Sequence, residues 1–197
     1  MTPSSEFIAG LKILEPFLFQ HGFKLDYMKT QQSSGGQFTN AAYINGKKKF
    51  IIGYRYSVGL LDYQFENSTV MHNFYLDGLG YADKKQYPDF QNEDLQSSFR
   101  HILADFEYLK DDFFIGHCIE LKKIAISQIK YYEELQAKLY ADEELKSNKE
   151  IIDKARQQFK VKNYKACIDF YKTVSKNYVL TEFDKRTLQH CNDHRIN

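Results

Sequence analysis

All ten glycines of this 197-residue chain lie at or before Gly116, and all three prolines lie at or before Pro88. Glycine and proline punctuate turns and end strands, so the stretch beyond Gly116 lacks the residues that tight β-hairpins need and is expected to be built from helices. Before it, glycines recur between short runs of alternating apolar and polar residues, the period of a half-buried strand. The chain is therefore expected to be α+β: residues 1–112 form an antiparallel four-stranded meander packed on helices, and residues 113–197 form an all-α helical bundle.

The stretch QQSSGGQFTNAAYINGKKKFIIGYRYSVG, Gln31 to Gly59, sets the expected register. A glycine loop that cradles phosphate opens a helix, but Gly35-Gly36 is followed by the β-formers Phe38 to Ile44, and neither G-x-x-x-x-G-K-[ST] nor G-x-G-x-x-G occurs. The pair is read as a flexible turn. Asn45-Gly46 fits a two-residue type I′ hairpin, whose central residues need positive φ. With a second such turn at Ser57-Val58, Ala41 opposes Phe50, Thr39 opposes Ile52, Ile52 opposes Tyr63, Tyr54 opposes Leu61 and Phe50 opposes Phe65. Phe50, Ile52, Tyr54, Tyr63 and Phe65 then share a buried face, while Asn40, Lys49, Ile51, Gly53, Arg55, Leu60, Asp62 and Gln64 share a wet one. Arg55 is expected diagonal to Asp62, as a cross-strand ion pair.

The remaining elements follow from periodicity. Thr2-Pro3 caps a first helix marked by Phe7, Leu11, Leu14 and Leu18, bent at Pro16 and stopped by Gly22. The first strand alternates Phe23, Leu25 and Tyr27. Ser68 caps a short helix, STVMHNFYLDGLG, and Asn92 caps another bearing Leu95, Phe99, Ile102, Phe106 and Leu109. Four helices are expected in the second half. Leu121, Ile124, Ala125, Gln128, Tyr132, Leu135 and Leu139 mark the first, which breaks at Ser147-Asn148; Ile151, Ile152, Ala155 and Phe159 mark the next. NYKACIDFYKTV gives the third, and Thr181 with Asp184 opens the last as a capping box.

Composition excludes several function classes. A formal net charge of +1 and the lack of a basic stripe leave no electrostatic footprint for nucleic acid. No apolar run approaches the length of a membrane span, and the N-terminus lacks a basic segment followed by an apolar one. Cys118, Cys167 and Cys191 are too few and too unevenly spaced for a disulfide framework. A cytoplasmic protein with reduced thiols is expected, without a cofactor and with neither nucleic acid nor membrane as partner. The 15 Tyr and 16 Phe, with no Trp, suit an aromatic core and equally a protein-contact surface.

No catalytic constellation emerges. His101 and Asp105 lie one helical turn apart, as many solvated pairs do, and His72 with Tyr75 says no more. Glu66, Glu93, Asp111 and Asp112 have no spacing that makes two carboxylates converge, and no G-x-S-x-G elbow is present. His190 and His194, with Cys191 between them, come nearest to a metal pair, but two ligands at a chain end do not make a site. What remains is a contact surface on the wet sheet face, centred on Asn40, Lys49, Ile51, Arg55 and Asp62.

Two resemblances bear on function. ARQQFKVKNYKACIDFYKTV resembles one tetratricopeptide-type hairpin, with Ala155, Tyr164, Cys167, Ile168 and Tyr171 at its packing positions, though Lys162 replaces the turn glycine and no proline follows. The first half, with GF after helix one, YPDF and FRHILADFEYL, resembles uncharacterised bacterial α+β immunity-type proteins found beside secreted toxins. These imply a non-catalytic protein-binding module, in its sharper form an immunity-type inhibitor of a bacterial toxin. The alternatives are a helical, tetratricopeptide-like adaptor and an enzyme whose site is assembled from scattered residues.

Overall fold

The structure is a computed structural model that describes residues 2–89 and 94–194. It is α+β and falls into two compact units, Met1–Lys130 and Tyr131–Asn197. The change in sequence vocabulary at residue 112 precedes the end of the first unit, because Phe113, Phe114, Leu121 and Ile124 still pack into the first core.

The first unit begins with α1 (Ser5–Gln20), which is capped by Ser4 rather than Thr2: the Ser4 hydroxyl accepts from Phe7 N at 3.2 Å. Pro16 lies inside the helix, and Gly22, at φ 78°, leads out of it. The sheet has five antiparallel strands rather than four, in the order β1 (Lys24–Ser33), β2 (Gly36–Asn45), β3 (Lys48–Tyr54), β4 (Val58–Phe65) and β5 (Ser68–Met71). Ser68 to Met71 pair with Asp62 to Phe65 instead of starting a helix, so α2 (His72–Gly78) is shorter than expected. The β-branched Thr69 and Val70 favour that pairing. The next helix, α3 (Leu95–Leu109), is capped by Asp94, which accepts from Ser97 N at 2.7 Å; Asn92 lies outside the described residues.

The register differs from expectation by two residues. Tyr43 opposes Phe50, Ala41 opposes Ile52, Phe50 opposes Tyr63 and Ile52 opposes Leu61. The first turn is Gly46-Lys47, with positive φ at Gly46 and not at Lys47, so it is not the type I′ turn at Asn45-Gly46. The second spans Arg55 to Ser57. A shift of two keeps every side chain on its face. Phe50, Ile52 and Tyr63 are buried, and Tyr54 and Phe65 pack at the margin of the same core. In β1 a bulge between Leu25 and Tyr27 breaks the expected alternation, sending Tyr27 to the opposite face, across from Ala42.

Helices α1 and α3 cover the inner face. Phe7 stacks on Tyr54 at 5.5 Å, Phe106 meets Phe50 edge-on at 5.2 Å, and a Cβ on Gly10 would fall 2.2 Å from the Phe99 ring. Each such ring, fully buried, contributes about 1.5–3 kcal/mol. A π-helical turn (Lys110–Phe114) follows α3, and Lys48 Nζ donates to the Phe114 and Gly116 carbonyls at 3.2 and 2.8 Å. Asp112 then starts α4 (Ile119–Lys160), accepting from Glu120 N at 3.2 Å and Leu121 N at 2.8 Å.

In the second unit α4 is continuous, without the break expected at Ser147-Asn148. Asn148 is buried there because its side-chain oxygen accepts from Ser175 N at 2.9 Å. With α5 (Tyr164–Thr173) and α6 (Glu182–Asp193), three helices rather than four shape the second half, and Ile152, Ala155, Cys167, Ile168, Tyr171 and Cys191 form its core. Thr181 caps α6 as expected. Among the described residues no strand follows Gly116, and no helix is long and apolar enough to cross a membrane.

Candidate functional site

The outer face of the sheet can be read in cross-strand rows. One row runs Tyr27, Ala42, Ile51, Asp62, Met71; its neighbours are Lys29, Asn40, Gly53, Leu60 and Lys24, Ile44, Lys49, Gln64, Thr69. Asn40, Lys49, Ile51 and Asp62 therefore lie on one face in adjacent rows, all half-buried. Arg55 lies beyond the strand end, where the Arg55–Ser57 turn meets the β1–β2 turn. That placement corrects the expected Arg55–Asp62 pair: Asp62 stands opposite Ile51, further down the sheet.

The glycine pair now has a physical role. A Cβ on Gly35 would fall 2.4 Å from an Arg55 guanidinium nitrogen and one on Gly36 2.8 Å from the Tyr56 hydroxyl, which donates to Gly35 O at 2.9 Å. The turn is a seat for two side chains, not an anion cradle. Arg55 and Asn40 also line a shallow concavity with Phe38, Gly53, Gly59 and Leu60. Gly53 is required on its floor, since a Cβ there would meet Asn40 Oδ1 at 2.6 Å and Leu60 Cβ at 2.8 Å.

The two lysine and aspartate positions differ in electrostatics. Lys49 Nζ lies 3.7 Å from Asp26 and 6.0 Å above the Tyr27 ring centre. Asp62 has neither an ion pair nor a side-chain hydrogen bond among the described residues, and burial holds its carboxyl above the usual range.

A second polar constellation was not legible in the sequence. Asp105 does not turn to His101 on its own helix. Its carboxylate accepts from Gln86 N at 2.7 Å and Tyr87 N at 2.9 Å, and stands 3.1 Å from His72 Nε2. His72 Nδ1 is 2.8 Å from the Tyr63 hydroxyl. A carboxylate can only accept, so His72 Nε2 donates to Asp105 while Nδ1 bonds the Tyr63 hydroxyl. Burial, reinforced by the nearby Asp105 charge, drives the Tyr63 hydroxyl well above its usual pKa. The residue types are those of acid–base chemistry, yet Tyr63, His72 and Asp105 are 0, 3 and 0% exposed. No substrate reaches them, and the chain of bonds ties β4, α2, α3 and the loop at Gln86 together. Only the polarity of His72 and Asp105 at apolar positions could have signalled it.

His190 lies in the last turn of α6 and His194 is its C-terminal cap. Their rings stack 4.1 Å apart beside Tyr164, and His194 Nδ1 bonds the His190 carbonyl at 2.9 Å. Among the described residues no group of three or more His, Cys, Asp or Glu could hold a metal. Cys118 and Cys167 are buried, which pushes their thiols up to about 11 and about 12, the latter helped by a hydrogen bond with Cys191. No protein-family model, curated protein or solved structure matches the chain.

Proposed function

We propose that the protein is a non-catalytic protein-binding module whose contact surface is the outer sheet face, with Asn40, Lys49, Ile51 and Asp62 at its centre and Arg55 at its rim. The observation that carries this reading is Asp62, a half-buried carboxylate set between Ile51 and Met71 that makes no ion pair among the described residues. Such a group costs stability in the free chain, and a partner offering a basic side chain flanked by apolar atoms relieves that cost on binding. Local inconsistencies of this kind are kept at functional sites. Arg55 adds positive charge at the rim, beside a shallow concavity lined by Phe38 and Leu60. The resemblance of the first half to immunity-type proteins makes a secreted toxin the partner to try first.

The test is co-purification of cross-linked complexes from the native cell, with the wild-type chain beside an Ile51→Asp, Arg55→Ala variant. A protein recovered with the wild type and lost with the variant, at unchanged thermal unfolding, supports the reading. Equal recovery overturns it, and a collapsed unfolding midpoint in the variant means that the face is internal to the fold.

A further inference from the structure

Two of the three cysteines meet in the core of the second unit. Cys167, on α5, and Cys191, in the last turn of α6, are both fully buried and share a core cluster with Ile152, Ala155, Ile168 and Tyr171. A hydrogen bond joins the two thiols and raises the Cys167 pKa, so Cys167 S–H donates and the Cys191 sulfur accepts. Tyr171, one helical turn beyond Cys167, donates to Asp184, two turns before Cys191, at 2.9 Å. The two contacts make one antiparallel seam, bonded at both ends. Its two cysteines are held differently. Asn163 caps α5, accepting from Ala166 N at 3.3 Å, and fixes the turn that leads into Cys167. Cys191 sits in a terminal turn, which lacks onward helical donors for its carbonyls and opens before the rest of the helix. Cys118 stands apart in the first unit, with the Phe113 carbonyl as its acceptor at 3.9 Å.

We infer that Cys167 and Cys191 form a reversible dithiol–disulfide site, oxidised by hydrogen peroxide, in which Cys191 reacts first and Cys167 resolves. While the seam is closed the pair is inert, because a buried thiol holds little thiolate. Opening of the last turn of α6 exposes Cys191 to water, which takes its proton. The thiolate then attacks one peroxide oxygen: the S–O bond forms as the O–O bond breaks, sulfur gives up two electrons, and hydroxide leaves and takes up a proton as water. Closure of the turn returns the Cys191 sulfenic acid to Cys167. The Cys167 sulfur attacks it, the S–S bond forms as the S–O bond breaks, and the Cys167 proton departs with the hydroxide as a second water. Two thiols and one peroxide thus give one disulfide and two waters. A weak hydrogen bond becomes a covalent tie between α5 and α6, which a dithiol reductant reverses. The site lies in the second unit and does not depend on the binding function proposed for the sheet face.

The test is treatment of the folded full chain with hydrogen peroxide, followed by thiol alkylation in denaturant and peptide mapping without reductant. The expected product is a Cys167–Cys191 cross-linked peptide, two hydrogens lighter than the reduced pair and undone by dithiothreitol, with Cys118 still alkylated as a thiol. Hydrogen exchange in the last turn of α6 should slow at least ~10-fold on oxidation, since the tie holds that turn closed. The order of attack is read with dimedone, which traps sulfenic acid. Cys167→Ala should carry the adduct on Cys191, and Cys191→Ala should carry none on Cys167. Two intact thiols after peroxide overturn the inference, as does a pair that links only in urea, and the wild-type map decides this whether or not either variant folds. An adduct on Cys167 of Cys191→Ala, or none on Cys191 of Cys167→Ala, overturns the order of attack.

Discussion

Two buried aspartates, one in each unit, solve the same problem in different ways. Asp105 holds its carboxylate inside the aromatic core with two backbone amides and His72. Asp184 holds its own with a two-pronged Arg156 at 2.9 and 3.0 Å, the Tyr171 hydroxyl at 2.9 Å and the Thr181 hydroxyl at 2.5 Å. Backbone donors cannot swing away to water, whereas the Arg156 side chain is 37% exposed and can. The first arrangement locks distant segments together; the second joins α4, α5 and α6 through a charge that solvent still reaches.

The largest expected effect comes from removing the rigid site. Asp105→Ala strands the Gln86 and Tyr87 amides and the His72 N–H in an apolar interior, and should cost about 3–5 kcal/mol, the range for breaking a buried polar cluster from one side. Urea unfolding followed by tyrosine emission gives the total, since the chain has no Trp. Hydrogen exchange resolved by segment should place the loss in residues 2–130. A loss below about 1 kcal/mol would mean that the amides find water and would reverse the order of the two aspartates.

A core truncation that touches neither carboxylate calibrates the scale. Ile52→Ala removes a fully buried side chain from the inner face and should cost about 2–5 kcal/mol, against about 0.5 kcal/mol or less for Lys49→Ala on the outer face. Equal effects would reverse the face assignment.

Asp184→Ala should cost less than Asp105→Ala, about 1.5–3 kcal/mol, because Arg156 relaxes into solvent. Its pH dependence separates the two sites further. Burial alone would raise the Asp184 carboxyl, but the bonds from Arg156, Thr181 and Tyr171 together hold it below the usual range. A carboxyl lowered on folding stabilises the fold above the unfolded value of about 3.9, and that contribution disappears as pH falls through the folded value. The gap between wild type and Asp184→Ala should therefore close in acid. A gap that stays constant down to pH 2, or widens, would show that the carboxylate is not what holds the three helices.

The same contrast explains what could be read from the sequence. Thr181 and Asp184 are three residues apart, and a local hydrogen-bond pattern fixes their meaning, so the α6 cap was legible. His72 and Asp105 are brought together only by the sheet and two helices, and a local reading pairs Asp105 with His101 instead. Face assignment survived an error in turn placement because a shift of two residues is invisible to a period of two. The β1 bulge and the fifth strand were lost because Asp26 and Ser68–Met71 carry no punctuation that distinguishes them from a regular strand or a helix start. Asn40, Lys49, Ile51 and Asp62 share the outer face as the alternation implies, whereas Arg55 lies beyond the strand end, beside a turn glycine and not beside Asp62.

Asp62 is the third carboxylate, and it inverts the logic of the other two. Its folded pKa is raised by burial, with no ion pair among the described residues to offset it. An acid raised on folding is protonated more readily in the native state, so its ionised form weakens the fold at neutral pH, and the penalty fades as pH drops through the folded value toward about 3.9. Asp62→Asn should therefore raise the neutral-pH unfolding midpoint slightly, by the equivalent of about 1 kcal/mol or less, and the difference from wild type should vanish in acid. Asp184→Ala and Asp62→Asn would then show stability differences of opposite sign that converge as pH falls, the first a loss and the second a gain. If Asp62→Asn instead destabilises at neutral pH, the carboxylate is already satisfied within the fold, and the reason to expect a basic partner at that position is gone.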